Sequence, residues 1–228
     1  MTLGLILDYG GVLTSSAAVS FRAFERNEGL PRGVVFDVIA EAYADAAGGD
    51  DANPIARFER GESTAEEFGA ELARRLGEHG HDVDPTDIHQ RIFAESEPAR
   101  AMWGIVRQAR AAGVRTALLS NSWGTDHYPV DEFEAHFDVV VISGEVGLRK
   151  PDPAIYRLTA ERLGLPPERC VFVDDLDRNV EAAREVGMNG VHHFDFETTV
   201  EDLSRLLGVE LGPEPPEPPG AGAVGSDA

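Results

Sequence analysis

Cys170-Val171-Phe172-Val173-Asp174-Asp175-Leu176-Asp177-Arg178-Asn179 runs from four apolar residues through two adjacent carboxylates into an amphipathic segment. A short apolar run rich in β-branched and aromatic residues reads as a strand buried on both faces. Leu176 to Val186 then reads as a helix that Gly187 stops. A buried strand feeding a helix is the unit of a parallel α/β sheet, and it leaves an acidic pair at the strand's carboxyl end.

Working outward, the same unit recurs. Arg100 to Ala112 is amphipathic and ends at Gly113, and Val114 to Leu119 follows as a buried strand. Val139 to Ile142 is another strand, and Pro153 to Leu163 is a helix stopped by Gly164 and Pro166-Pro167. Beyond the acidic pair, Gly190 to His193 begins a last strand and Thr198 to Leu207 a last helix. Leu3 to Asp8 is a first short strand, also ending in a carboxylate. The alternation predicts an α/β fold, a Rossmann-like parallel sheet core with helices on both faces.

The stretch from about Ala17 to Ala94 breaks the alternation and reads as helices without a strand. Ser63-Thr64-Ala65-Glu66 has the form of a capping box, followed by Phe68, Leu72 and Leu76 at helical spacing. Asp84-Pro85 opens a further helix through Ile88, Ile92 and Phe93. Gly48-Gly49-Asp50-Asp51 and Glu78-His79-Gly80-His81 read as connections, with the two histidines as solvated rings more readily than metal ligands. The expected organisation is a core of residues 1–16 and 95–209, a helical cap of residues 17–94 inserted after the first strand, and a disordered Pro/Gly-rich tail of residues 210–228.

The formal net charge of −21 argues against nucleic acid or an anionic membrane as a partner, since both select clustered Lys and Arg. A small anionic substrate stays open to it. The single cysteine, Cys170, excludes an internal disulfide and reads as a buried structural thiol. No apolar stretch is long enough to span a bilayer, and the first residues read as a strand rather than a signal peptide, so the expected location is cytoplasmic. The chain is expected as a monomer or homodimer.

In open α/β sheets, ligands bind beyond the carboxyl ends of the strands. Those ends carry Asp8, Ser120-Asn121 and Asp174-Asp175, and Lys150 follows the Val139 strand after a short loop. Lys150 is the only lysine, against nineteen arginines. Its compact ammonium is not interchangeable with a planar guanidinium. Three carboxylates together are unfavourable unless paired. Mg²⁺, which prefers oxygen ligands, would neutralise them, and Lys150 and Ser120 could hold a phosphate.

Four ordered motifs, Leu7-Asp8-Tyr9-Gly10-Gly11-Val12-Leu13, Leu118-Leu119-Ser120-Asn121-Ser122, Lys150-Pro151-Asp152-Pro153-Ala154-Ile155-Tyr156 and Val173-Asp174-Asp175-Leu176-Asp177-Arg178-Asn179, resemble those of the haloacid dehalogenase (HAD) superfamily. The run Phe58-Glu59-Arg60-Gly61-Glu62-Ser63 is similar to the capped phosphatase branch lacking a second aspartate in the first motif. The resemblance implies that Asp8 is a nucleophile forming an aspartyl phosphate. It implies that Asp8, the Gly10 carbonyl, Asp175 and Asp174 hold Mg²⁺. Ser120 and Asn121 would position the phosphoryl group, and Lys150 would bind it and orient Asp8. Asn179 reads as a tether for its loop. Trp123 serves equally as a pocket wall or as packing, and His127 reads as a solvated ring before a surrogate acid.

The departure from the wider pattern is Gly10, where most phosphatases of this resemblance carry a general acid–base aspartate. General acid–base catalysis is worth about 10²- to 10⁴-fold in rate. The implied activity is a Mg²⁺-dependent phosphatase acting on a small phosphorylated metabolite, with a sugar phosphate as one candidate. The alternatives are a metal-independent haloacid dehalogenase-type hydrolase and a non-catalytic homologue that binds a phosphate ligand or a partner.

Overall fold

The computed structural model describes residues 2–44, 53–124 and 128–213. Its centre is a five-stranded parallel sheet made of β1 (Gly4–Leu7), β2 (Arg115–Ser120), β3 (Val139–Ile142), β4 (Cys170–Asp174) and β5 (Asn189–His192), in the order β3-β2-β1-β4-β5. The strands alternate faces with a period of two. Leu5, Leu7, Leu118, Val171 and Val173 enter one apolar cluster, whereas Ile6, Ala117, Leu119, Cys170 and Phe172 enter the opposite one. Both faces are therefore buried, which explains why the strands read as continuous apolar runs.

Helices close each face. The first cluster is completed from α6 (Arg100–Ala111) and α11 (Phe196–Leu207), the second from α9 (Pro153–Leu163) and α10 (Asp177–Glu185). Two shorter helices, α7 (Val130–His136) and α8 (Ser143–Val146), flank β3. The remaining helices, α1 (Ala17–Asn27), α2 (Val34–Ala44), α3 (Pro54–Glu59), α4 (Ala65–Glu78) and α5 (Ile88–Phe93), share a separate apolar cluster centred on Phe24, Val38, Phe68, Leu76 and Ile92. The chain leaves for this helical unit and returns from it side by side. Thr14 and Pro98 form an antiparallel bridge, and the Ser15 N–H donates to the Glu97 carbonyl at 2.9 Å.

Three local expectations shift. The capping box uses Thr64 and Glu67, one residue later than the predicted Ser63 and Glu66. Both pairs fit the pattern, and a start at Ala65 turns Phe68, Leu72 and Leu76 inward. The helix predicted from Asp84-Pro85 begins only at Ile88, because the Asp84 carboxylate accepts the Thr86 N–H and forms a turn instead. Leu211, predicted to lie in the tail, is buried against the core, and Gly212 exchanges two hydrogen bonds with the Gln108 side chain. The rest of the predicted tail, residues 214–228, lies outside the described residues, as do Gly48-Gly49-Asp50-Asp51 and His127. Among the described residues, no helix is long and apolar enough to cross a membrane.

Candidate active site

The strand order reverses between β1 and β4, the position where an α/β sheet opens a crevice for ligands. The register pairs Leu7 with Val173, so Asp8 and Asp174 emerge abreast from adjacent strands. Their neighbour Asp175 completes a cluster in which one carboxylate oxygen from each residue lies within 4.8 Å of the others. It is the only grouping of three or more His, Cys, Asp or Glu ligand atoms among the described residues. His79 lies elsewhere, paired with Glu41 at 2.8 Å.

Lys150 reaches this cluster from the loop after α8. Its Nζ stands 2.7 Å from Asp8 Oδ1 and 2.7 Å from Asp174 Oδ2, with 1% of the side chain exposed. Three carboxylates and one ammonium leave two formal negative charges in a largely buried cluster. The consequence is visible in the proton affinities. Burial pushes the Asp8 carboxyl up to about 8, with Asp174 and Asp175 adding to the shift and Lys150 opposing it. Burial and then Asp174 push Asp175 up to about 6. Burial works against the charge on Lys150, but Asp174 and Asp8 more than offset it and raise the ammonium above its ordinary value. One lysine cannot satisfy three carboxylates. The all-oxygen donor set and its uncompensated charge fit a hard divalent cation such as Mg²⁺.

Local backbone and side-chain contacts hold these groups in place. The Tyr9 N–H donates to Asp8 Oδ1 at 2.7 Å, and the Leu176 N–H to Asp174 Oδ1 at 2.9 Å. Asn179 Nδ2 donates to both Asp174 oxygens at 3.0 and 3.1 Å, while Tyr156 Oη fastens the Asn179 carbonyl at 2.9 Å. Asn179 thus tethers the acidic loop. Gly11 has φ +79°, and a Cβ there would fall 2.1 Å from Asp175 Oδ2, so only glycine leaves room for that carboxylate. Gly10 differs, because a Cβ there would meet no atom within 4 Å.

Ser120, at the end of β2, is buried with its Oγ 2.9 Å from Tyr128 Oη. Tyr128 carried no signal in the sequence, because only the fold brings its loop onto β2. The Asn121 side chain turns to the Lys150 backbone. Its Nδ2 donates to the Lys150 carbonyl at 3.0 Å and its Oδ1 accepts the Lys150 N–H at 2.8 Å. Both ends of the amide are occupied in locking the lysine backbone. Trp123 resolves as packing. Its ring lies 5.3 Å from Phe68 and 5.6 Å from Phe93, and its Nε1 donates to Glu59 at 3.2 Å. Cys170 is buried in the sheet, and burial pushes its thiol up to about 11, which suits a structural residue.

The model of the family "haloacid dehalogenase-like hydrolase" matches residues 3–187. The chain belongs to this family. This HAD-like hydrolase is 32% identical over 91% of its length to mouse "Acyl-CoA dehydrogenase family member 10", of which it spans only 19%. It is 28% identical over 67% of its length to the Aspergillus oryzae "Sesquiterpene phosphatase astK", covering 78% of that protein. Among solved structures it resembles a HAD family enzyme of Bacteroides thetaiotaomicron in complex with magnesium and inorganic phosphate. There the TM-score is 0.56 at 20% identity, covering 84% of this HAD-like hydrolase and 94% of the other chain. At that identity the likeness establishes the fold.

Proposed function

We propose that the chain is a Mg²⁺-dependent phosphatase acting on a small phosphorylated metabolite through an aspartyl phosphate on Asp8. The observation that carries this reading is the convergence of Asp8, Asp174 and Asp175 within 4.8 Å around a single buried ammonium. A metal-free site built to attack carbon gains nothing from a third crowded carboxylate. The relative named as a sesquiterpene phosphatase and the fold neighbour crystallised with magnesium and phosphate support the same reading.

In this scheme Asp8, the Gly10 carbonyl, Asp175 and Asp174 would hold Mg²⁺. When bound, the ion would supply the positive charge that keeps Asp8 ionised and offsets phosphoryl charge. Asp8 attacks phosphorus through the oxygen that Lys150 and the Tyr9 N–H leave open, and the bond to the ester oxygen breaks. Lys150 and the Ser120 hydroxyl contact the phosphoryl oxygens. Water then cleaves the acyl phosphate and restores Asp8. Catalysis is mainly positioning and charge neutralisation, as phosphoryl transfer requires. Without an acid at Gly10, esters with acidic leaving groups, such as sugar 1-phosphates, acyl phosphates and aryl phosphates, are the favoured substrates. The helical unit α1–α5 acts as the cap that excludes water and selects among them.

Phosphate release from a metabolite panel, with and without chelator, tests the proposal. Release that needs Mg²⁺ and disappears in Asp8→Asn supports it. Activity persisting in Asp8→Asn, or halide release that survives chelation, rejects it.

A further inference from the structure

Glu59, the last residue of α3, belongs to the helical unit, yet it is buried among core loops with 5% of its surface exposed. Its Oε2 accepts Arg149 Nε at 2.6 Å, and both side chains are almost fully enclosed. Its Oε1 accepts Trp123 Nε1 at 3.2 Å and Tyr43 Oη at 3.3 Å. Its backbone carbonyl accepts the Ser143 hydroxyl at 2.5 Å, and that same hydroxyl accepts the Ser122 N–H at 2.8 Å. The fit around this joint is close. A Cβ on Gly61 would fall 2.4 Å from the Gly144 carbonyl oxygen, and one on Gly144 would fall 2.7 Å from Ser122 Oγ.

These contacts close a ring. From Glu59 one arm passes through Ser143 to Ser122, the chain neighbour of Asn121. The other passes to Arg149, the chain neighbour of Lys150. Asn121 and Lys150 join the arms through their two reciprocal hydrogen bonds. The loop that presents the ammonium to Asp8 and Asp174 is thus held on one side by Asn121 and on the other by a carboxylate lent by the helical unit.

A buried ion pair contributes little net stability compared with apolar residues of similar volume. What it can do is impose geometry, because an enclosed arginine has few ways to satisfy its charge. We propose that Glu59 is a positioning residue of the reaction. By holding Arg149 it sets the Lys150 backbone opposite Asn121, and so sets the ammonium between Asp8 and Asp174. The role assigned to Lys150 in turnover rests on the phosphatase reading above, whereas its placement by Glu59 does not.

Because Lys150 is the only lysine, protein grown on lysine labelled with ¹³C at Cε gives one side-chain signal that reports this ammonium alone. In Glu59→Gln that signal is expected to move or broaden. With p-nitrophenyl phosphate and Mg²⁺, kcat is expected to fall by about 10²-fold, the loss typical of a misplaced group, with KM little changed. In a Lys150→Met background the same Glu59→Gln change is expected to cost nothing further, which general loosening would not produce. If Glu59→Gln fails to fold, Glu59→Leu with Arg149→Met removes both charges of this pair, and the single lysine signal is still expected to shift. An unchanged lysine signal in a folded variant overturns the inference. A wild-type chain without phosphatase activity refutes the proposed reaction alone, and the lysine signal still decides whether Glu59 places Lys150.

Discussion

Replacing Lys150 by arginine keeps the charge and changes only its shape, so it separates two explanations of the site. If Lys150 matters as a positive charge, arginine serves as well. If it matters as a compact donor wedged between two carboxylates, arginine fails. The structure favours geometry. The side chain is 1% exposed and its single nitrogen meets Asp8 and Asp174 at 2.7 Å each. The Phe172 ring lies 5.7 Å from that nitrogen, closing the pocket behind it. A guanidinium is wider and carries its donors in a rigid fork. Overpacking of this kind typically costs about 1–3 kcal/mol. In a chain of this size each kcal/mol corresponds to roughly 2–4 °C in Tm, so a fall of about 2–12 °C is expected. Displacing Asp8 by about 1 Å is enough for a loss near 10²-fold in kcat. Thermal unfolding and steady-state phosphate release with Mg²⁺ measure both numbers. An arginine variant that keeps kcat within about threefold of wild type, far inside that expected loss, would refute the geometric argument. Lys150→Met is the control for charge. It leaves Asp8 and Asp174 without their ammonium, and breaking a buried pair costs about 3–5 kcal/mol.

Gly10→Asp should raise turnover most on esters with poor leaving groups, by up to about 10²-fold, since the position has open space for a side chain and general acid help is worth at least that much. Equal gains for alkyl and aryl phosphates would count against the assignment of Gly10 as the missing acid. Metal and pH should be coupled. The folded state raises Asp8 from 3.8 to about 8 and Asp175 from 3.8 to about 6, so it binds more protons than the unfolded chain across that range. These two groups therefore destabilise the metal-free fold as pH rises from about 4 to about 8. His193, whose proton affinity burial lowers, acts in the opposite direction as pH rises through the ordinary histidine range. Mg²⁺ relieves the carboxylate effect, so its stabilisation, read as a shift in Tm, should be larger near pH 8 than near pH 5. A shift independent of pH would contradict the charge analysis.

Much of this protein is written locally. Strand runs such as Val171–Val173 and helix stops at Gly113, Gly164 and Gly187 depend on neighbours a few residues away, so the parallel sheet and the order of its chemistry-bearing ends were legible in the sequence. So were Asp8, Asp174, Asp175 and Lys150 as a group, because parallel strands deliver their carboxyl ends to one edge. Local rules failed where two readings were locally equivalent. Ser63 and Thr64 both satisfy a capping box, and burial of Phe68 and Leu72 chose between them. Leu211 follows a helix-stopping glycine and precedes a Pro-rich run, and only the groove beside α6 made it a core residue.

What the sequence determined by itself was the layered fold, its interruption by helices and the kind of chemistry its strand ends can carry. What only the tertiary structure decided was which partner each polar group takes. The Asn121 side chain pairs with the Lys150 backbone, and Glu59 reaches across 90 positions to Arg149. A buried amide or carboxylate is directed by whichever donors the packed elements bring within about 3 Å, and that is a property of the assembled molecule.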